Sequence, residues 1–483
     1  MSRRIVGPFN RVEGDLEIKL EIADGVVREA WVNSPLYRGF EQILLGKDPT
    51  DALVYTPRIC GICSVSQSLA AAATLASVQG LTPPPNGALL QNLILAAENA
   101  ADHLTHFYLF YMPDFARPVY AKEPWHAAAH ARFKAIEGTA AREMLPARAQ
   151  FMHLMGTLAG RWPRTLGLQP GGTTRAVGAS EQARVLAVLA AFRRFLEAST
   201  FADTLERIAA LDSEAALDAW AEAQAPTRGD FRHFLHVSKA LGLDGLGKGT
   251  GRFLSYGAYT FDGRHTFKRG VVDDGRAGAL DPAAITEDPA AAWLMRGGQP
   301  SHPSRGVTLP DPDAPGGYSW CKAPRLAGAV VEVGALARQV VDGHALIVDL
   351  VAGSGGNARN RVIARLIEIA RIIPLMEDWA RSIRPREPCC HHGSVPAEAE
   401  GEGLIEAARG SLGHWLHVRH GRILNYQIIA PTTWNFSPRD GKGQPGVCEQ
   451  ALVGAPVRAG EVEPVAVQHI VRSFDPCMVC TVH

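Results

Sequence analysis

Two CxxC pairs stand near opposite ends of this chain: Cys60-Gly-Ile-Cys63 within RICGICSVSQ, and Cys477-Met-Val-Cys480 within the final nine residues, DPCMVCTVH. The spacing lets both sulfurs of a pair reach one ion from a tight turn. Four thiolates make a soft, negatively charged cage, suited by ligand type to zinc or an iron–sulfur centre. In a zinc ribbon the two pairs lie about 15–20 residues apart; here nearly the whole chain intervenes. If one centre takes all four sulfurs, the fold must bring both ends into a single core. Closing so long a loop costs only about a few kcal/mol more than closing a short one, because the entropy grows with the logarithm of length. Unrelated thiols or a dithiol redox pair are the other readings. A thioredoxin-like site is disfavoured, since neither pair follows a clear strand and opens a βαβ unit.

The 483 residues are enough for two average domains or for one large core. Hydrophobic residues at 46% and charged residues at 20% describe an ordinary globular chain, not a disordered one. Lys+Arg and Asp+Glu balance at 49 each, so nothing electrostatic points to nucleic acid, an acidic membrane surface or a polyanion. The N-terminus, MSRRIVGPFNRVEGD, has no apolar run behind its arginines and lacks a secretory signal, which predicts a cytoplasmic chain. No stretch approaches the roughly 18 apolar residues of a membrane span; export or membrane attachment would need a partner. Eight cysteines in a chain of this length do not form a disulfide framework.

Local patterns predict β structure early and helix through most of the rest. In LEIKLEIADGVVREAWV, Leu16, Ile18, Leu20 and Ile22 alternate with charged residues and Asp24-Gly25 is a tight-turn signal, so a hairpin with one buried face is expected. Helical periods follow in SQSLAAAATLASVQ, in 88–111 after the prolines at 83–85, and near 140–158, 179–209, 326–341 and 357–383, the last with a kink expected at Pro374. Residues 243–325 are rich in Gly, Pro and Asp and predict irregular structure with short strands. The fold class expected is mainly α with β-rich elaborations (α+β). It is read as one single-core helical unit over 1–483, with a β-rich segment at 1–50 and an irregular insertion at 243–325.

RICGIC and DPCMVC followed by Thr481, Val482 and His483 closely resemble the two metal-binding signatures of nickel–iron hydrogenase large subunits. The resemblance extends through RVEG, RGFE (Arg38 to Glu41), ADHLTHFY (Ala101 to Tyr108), KAPR (Lys322 to Arg325), ARGSLGHW (Ala408 to Trp415) and PTTWNFSPRD (Pro431 to Asp440), essentially the whole chain. It implies reversible heterolytic cleavage of H2 at a NiFe(CN)2(CO) centre. Cys60 and Cys477 would be terminal nickel ligands, and Cys63 and Cys480 would bridge nickel to iron. Unlike a closed structural zinc site, such a centre needs an open position. Glu13 is implied as the first proton acceptor beyond the thiolates, its pKa raised by burial near the metals. Arg409 is implied as the guanidinium over the metals, with Asp102 and Asp475 orienting it. Glu41 and His483, with a carbonyl from 425–430, are implied Mg2+ ligands.

Two substitutions depart from the family's common pattern: Asp15 and Gln67 stand where many members have histidines, altering the surroundings of the metals. Such replacements resemble the regulatory, hydrogen-sensing group and some cytoplasmic uptake relatives. Nothing follows His483, as in a matured chain or one that never had a tail, and sensing is therefore the leading expectation. A respiratory uptake hydrogenase is the alternative, and a structural zinc protein or a quinone-reductase relative of the same fold is the remote one. With no CxxC set left over for electron-transfer clusters, the resemblance implies a small iron–sulfur subunit as partner, in a heterodimer or a dimer of heterodimers. For a sensor, a histidine kinase is implied as well. Two further motifs are set aside. Cys389-Cys390-His391-His392 has metal-like composition, but adjacent residues chelate one ion poorly. GLDGLGKGTG (Gly242 to Gly251) has Gly249 where a phosphate-binding loop needs Ser or Thr.

Overall fold

The computed structural model describes residues 2–295 and 299–483, so Met1 and residues 296–298 of the expected insertion lie outside it. The predicted hairpin forms from β2 (Glu17–Ala23) and β3 (Val26–Asn33), with β1 (Ser2–Val6) antiparallel along the outer edge of β2. Asp24 and Gly25 both take positive φ, 55° and 72°, the tight turn whose twist matches that of the strands. The buried face, Ile18, Leu20, Ile22 and Val32, packs on Val467, Ile470 and Val471 of the helix Val465–Ser473 and on Phe474 and Met478. The N-terminal sheet therefore covers the C-terminal segment, and the two ends of the chain share one core.

Helix α1 (Ser64–Gln79) follows the first CxxC pair, and α2 (Pro85–Thr105) carries Asp102. Beyond α2 the backbone widens into a single π-type turn, His106–Tyr111, a deviation that recurs near functional sites. The 243–325 stretch is more regular than expected. Strands β4 (Arg252–Phe261) and β5 (Arg264–Asp273) make a long antiparallel hairpin against α3 (Ala335–Asp342). Helix α4 (Ala358–Ser382) crosses the main core, buried over most of its length, and stays helical through Pro374, the point at which a kink is expected. A final meander, β6 (Ala399–Ala407), β7 (Gly410–Arg419) and β8 (Arg422–Ile429), lies against α1. That contact explains two features of the sequence at once. A Cβ at Gly401 would sit 2.4 Å from Ser77 Oγ, and one at Gly403 would sit 2.4 Å from the carbonyl of Ala70. The alanine-rich helix and the glycine-bearing strand approach backbone to backbone, and larger residues would prise them apart.

Buried charges hold this frame behind the site. Arg338 on α3 pairs at 2.7 Å with both Glu368 on α4 and Glu406 on β6, and His103 on α2 meets Glu368 at 3.0 Å. The same guanidinium donates to the carbonyls of Ala407 (2.7 Å) and Ala408 (3.1 Å), fixing the backbone that leads into Arg409.

Candidate metal centre

The structure brings Cys60, Cys63, Cys477 and Cys480 together, with all four sulfurs within 4.8 Å of one another. The closest approaches are 2.9 Å between Cys63 and Cys480, 3.0 Å between Cys477 and Cys480, and 3.6 Å between Cys477 and Cys60. These separations are too long for disulfides, at about 2.05 Å. Local structure explains the convergence. Cys63 stands at the N-cap position of α1 and Cys477 at that of α5 (Met478–Thr481), neither side chain spent on a capping hydrogen bond, so each CxxC pair sits on a tight turn into a helix with its sulfurs free to converge. Arg38, to which sequence reasoning gave no role of its own, joins the two motifs by donating to the carbonyls of Ile59 (2.7 Å) and Val479. The cage is short of positive charge. The three neighbouring sulfurs push the Cys60 thiol well down, while the same kind of contacts push Cys63 well up and burial pushes Cys480 up. Without a cation, a buried space this small stabilises only part of the negative charge that four thiolates would carry.

Arg409 lies across the cavity that Cys63, Ser66, Gln67, Thr432, Cys477 and Cys480 also line. Its Nε donates to the carbonyl of Asp475 at 2.8 Å and its Nη2 to Asp475 Oδ1 at 3.1 Å, while Asp102 Oδ1 lies 3.2 Å from Nη2. The two carboxylates are unequal. Burial drives Asp102 up to about 8 despite the arginine, whereas for Asp475 the charge of Arg409 outweighs burial and holds it below its ordinary value. Asp475 takes a left-handed backbone, φ 58°, which aspartate tolerates better than most residues. Arg409 Nη1 is buried without a partner. An unspent donor on the cavity wall, above four sulfurs that need cations, fits a metal centre bearing small anionic ligands.

Glu13 is stitched to the C-terminal motif through its backbone. Its N–H donates to the carbonyl of Pro476 at 3.3 Å, and its carbonyl accepts from Met478 N–H at 2.7 Å. The next residue has to be glycine, because at Gly14, φ 82°, a Cβ would meet Val479 Cγ1 at 2.9 Å. Burial raises the Glu13 pKa and the Cys60 thiolate adds to the rise, with Arg409 and Arg38 opposing. Both effects favour the protonated form of a carboxyl that is only half buried.

His483 and Glu41 also meet. His483 Nδ1 hydrogen-bonds the carbonyl of Cys480 at 2.8 Å, which assigns its N–H to that side and turns the Nε2 lone pair toward Glu41 Oε1 at 3.1 Å. Two acceptors facing each other fit an intervening cation. Burial opposes ionisation of Glu41, but the charge of Lys322 leads the interactions that outweigh it and lower its pKa to about 2. Oε1 also accepts from Ile428 N–H at 2.8 Å, so the expected 425–430 segment adjoins this point.

Of the two substituted positions, only Gln67 reaches the site. It lines the metal cavity and accepts from His414 Nε2 at 2.9 Å, while His414 Nδ1 meets Tyr426 Oη at 2.8 Å. Asp15 is exposed: the alternation that buries Leu16 turns its neighbour outward. The CCHH stretch gathers no ligand set among the described residues. GLDGLGKGTG is no phosphate cradle, since Gly249 N–H is spent on the carbonyl of Gly356 at 2.8 Å, and a Cβ there would strike Glu332 Oε2 at 2.2 Å.

Comparison with known proteins agrees with this geometry. The nickel-dependent hydrogenase family model matches residues 38–141 and 142–483. The chain is 30% identical to the periplasmic [NiFeSe] hydrogenase large subunit of Desulfomicrobium baculatum, covering 99% of this chain and 94% of the relative. It is 28% identical to the hydrogenase-2 large chain of Escherichia coli K12, covering 100% and 97%. The uptake hydrogenase large subunit of Rhodobacter capsulatus is 27% identical, covering 100% and 95%. Among solved structures, the reduced Ni-Fe-Se hydrogenase of D. vulgaris Hildenborough superposes with a TM-score of 0.85 at 30% identity, covering both chains completely. These relatives overturn the cytoplasmic placement expected from the N-terminus, since they are periplasmic or uptake enzymes. An N-terminus without an apolar run bears only on whether a chain exports itself, and says nothing of export with a partner. No helix among the described residues is long and apolar enough to cross a membrane. Four converging cysteines, an arginine with a free donor above them and full-length similarity agree: this chain belongs to the nickel-dependent hydrogenases, as a large subunit of the kind that carries the nickel–iron centre and cleaves H2.

Proposed function

We propose that the protein is the H2-oxidising subunit of a respiratory uptake hydrogenase, working with a smaller iron–sulfur subunit. The observation that carries this reading is the set of four buried sulfurs beneath Arg409. Cys60, Cys63, Cys477 and Cys480 would hold nickel and iron, with Cys63 and Cys480 shared between them. The bound centre supplies the electron-accepting metals that polarise H2. The chain's own residues do the rest. Asp475 holds the guanidinium of Arg409 in place, and the unpartnered Nη1 would be free to donate to small anionic ligands of a bound centre. Glu13 takes the proton released at a thiolate and passes it outward, since it is the raised carboxyl that is only half buried. Glu41 and His483, whose Oε1 and Nε2 lie 3.1 Å apart, would hold Mg2+. The small subunit would dock over the face where Val12, Ile62, Cys63 and Val479 stay partly exposed beside the sulfurs.

A hydrogen-sensing role is the second reading, favoured by one observation: Gln67, fixed by His414, puts a neutral amide in the wall beside the thiolates. A sensor would turn over slowly and bind a histidine kinase. The periplasmic and uptake relatives favour respiration. The test is the heterodimer produced with its maturation machinery. Nickel and iron in equal amounts, infrared bands in the cyanide and carbonyl stretching region and rapid H2-dependent dye reduction are expected. Absence of the bands would end the metal assignment, and slow turnover with a co-purifying kinase would exchange the first reading for the second.

A further inference from the structure

Helix α1 begins at the metal site, yet nothing in its own sequence caps it. Its N-cap is Cys63, whose side chain makes no capping hydrogen bond, and the first N–H groups of any helix lack intrahelical partners. Gln67 N–H closes on the carbonyl of Cys63 at 3.1 Å. The N–H groups of Val65 and Ser66 are instead taken by a carboxylate from another helix. Glu98 of α2, only 2% exposed, accepts from Val65 N–H at 2.8 Å through Oε2 and from Ser66 N–H at 2.9 Å through Oε1. Ser66 Oγ (2.9 Å) and Trp162 Nε1 (3.0 Å) complete its shell, so each oxygen holds two donors.

Glu98 is one turn before Asp102 on the same helix. Residues four apart share a face, and here that face holds both halves of the site. Asp102 reaches Arg409 above the sulfurs, and Glu98 reaches the turn that carries Cys63 and the cavity-lining Ser66 and Gln67. Burial raises the Glu98 carboxyl to about 7, against the pull of its donors. A site that keeps a buried acid of this kind needs its acceptors, because an apolar residue would leave two backbone donors unsatisfied.

We infer that Glu98 is a positioning residue for the metal centre: by capping α1 from α2, it fixes the Cys63 turn and sets the electrostatic field at the bridging sulfur. Backbone N–H groups at a helix start place positive potential on the sulfur before them, and the Glu98 carboxylate absorbs part of it. The surroundings of a ligand tune a metal much as the ligand does. The inference rests on the reading of Cys63 as a metal ligand.

Matured heterodimers carrying Glu98→Gln and Glu98→Asp, compared with wild type by metal content and infrared spectroscopy, test it. Gln keeps the shape but loses the charge and turns an NH2 toward the donors, while Asp keeps a two-oxygen acceptor. The carbonyl band of Glu98→Gln is expected at higher frequency than in wild type, since less electron density reaches iron, with Glu98→Asp shifted less. Loss of metal in Glu98→Gln with loading and near-wild-type bands in Glu98→Asp also supports the inference. Two loaded variants with wild-type bands would overturn it. So would loss of metal in both, the result of a glutamate that serves packing alone. A wild-type dimer without cyanide and carbonyl bands would instead fail the metal reading itself.

Discussion

Two stretches in the last hundred residues have nearly the same ligand composition and opposite fates. In Cys389-Cys390-His391-His392 the histidines are exposed and the polar atoms are spent on backbone carbonyls: Cys389 Sγ on Thr173 at 3.3 Å, Cys390 Sγ on Pro170 at 3.7 Å, His391 Nδ1 on Thr82 at 2.8 Å. In Cys477 to His483 every residue except Val479 is buried, two sulfurs close to 3.0 Å, and the histidine turns onto Glu41. The difference is geometric. Adjacent residues in extended backbone point to opposite sides, whereas residues three apart in a helical turn share a side. Composition nominates ligands, but spacing on a turn and enclosure by distant segments make a site.

The sharpest way to break this comparison is to remove one sulfur from each stretch. Cys480→Ser should lose nickel and more than about 10^3-fold of H2-dependent dye reduction, the scale on which members of an obligate catalytic set fail, while Cys390→Ser keeps wild-type metal content and rate. Glu13→Gln comes next. It should cost about 10^2–10^4-fold, as loss of an acid–base group does, with the infrared bands retained; an unchanged rate of H2/D2 exchange would remove Glu13 from the proton path. Arg409→Lys, which keeps the charge but not the fork that holds Asp475, should cost about 10–100-fold and move the cyanide bands, because its free donor touches the cavity. The smallest effect concerns stability in acid. Glu41 has a folded pKa lowered to about 2, so its contribution is complete above the ordinary carboxylate range and is lost as pH falls through that range toward 2. Denaturant midpoints should fall over this window in wild type, and Glu41→Gln should flatten the fall; equal slopes would mean that the charge of Lys322 beside Glu41 contributes nothing to stability.

The hairpin at Glu17–Asn33 could be read from alternation and Asp24-Gly25, because one face is buried and the turn residues admit positive φ. The long β4–β5 hairpin could not. Gly257, φ 83°, interrupts its alternation, and its burial comes from α3, some seventy residues on. Pro374 reads as a kink point, and α4 stays helical on both sides of it, with Ile372, Ile373 and Met376 buried in the main core. Within the site the four cysteines were visible as spaced pairs. Arg38, Arg338 and Glu98 were not, because each acts on backbone atoms of remote segments and leaves no local pattern.

The sequence by itself determined the donor chemistry: which sulfurs, carboxylates and histidine are available, and the turns and helix starts that aim them, since these depend on neighbours within a few residues. Only the tertiary structure decided that the two ends of the chain close on one cavity, that Asp475 and not Asp102 holds Arg409 by hydrogen bonds, that Gln67 lines the sulfur cavity while Asp15 faces water, and that Glu98 caps the Cys63 turn. Burial and field arise from segments hundreds of residues apart, and neither leaves a trace in the local order of the chain.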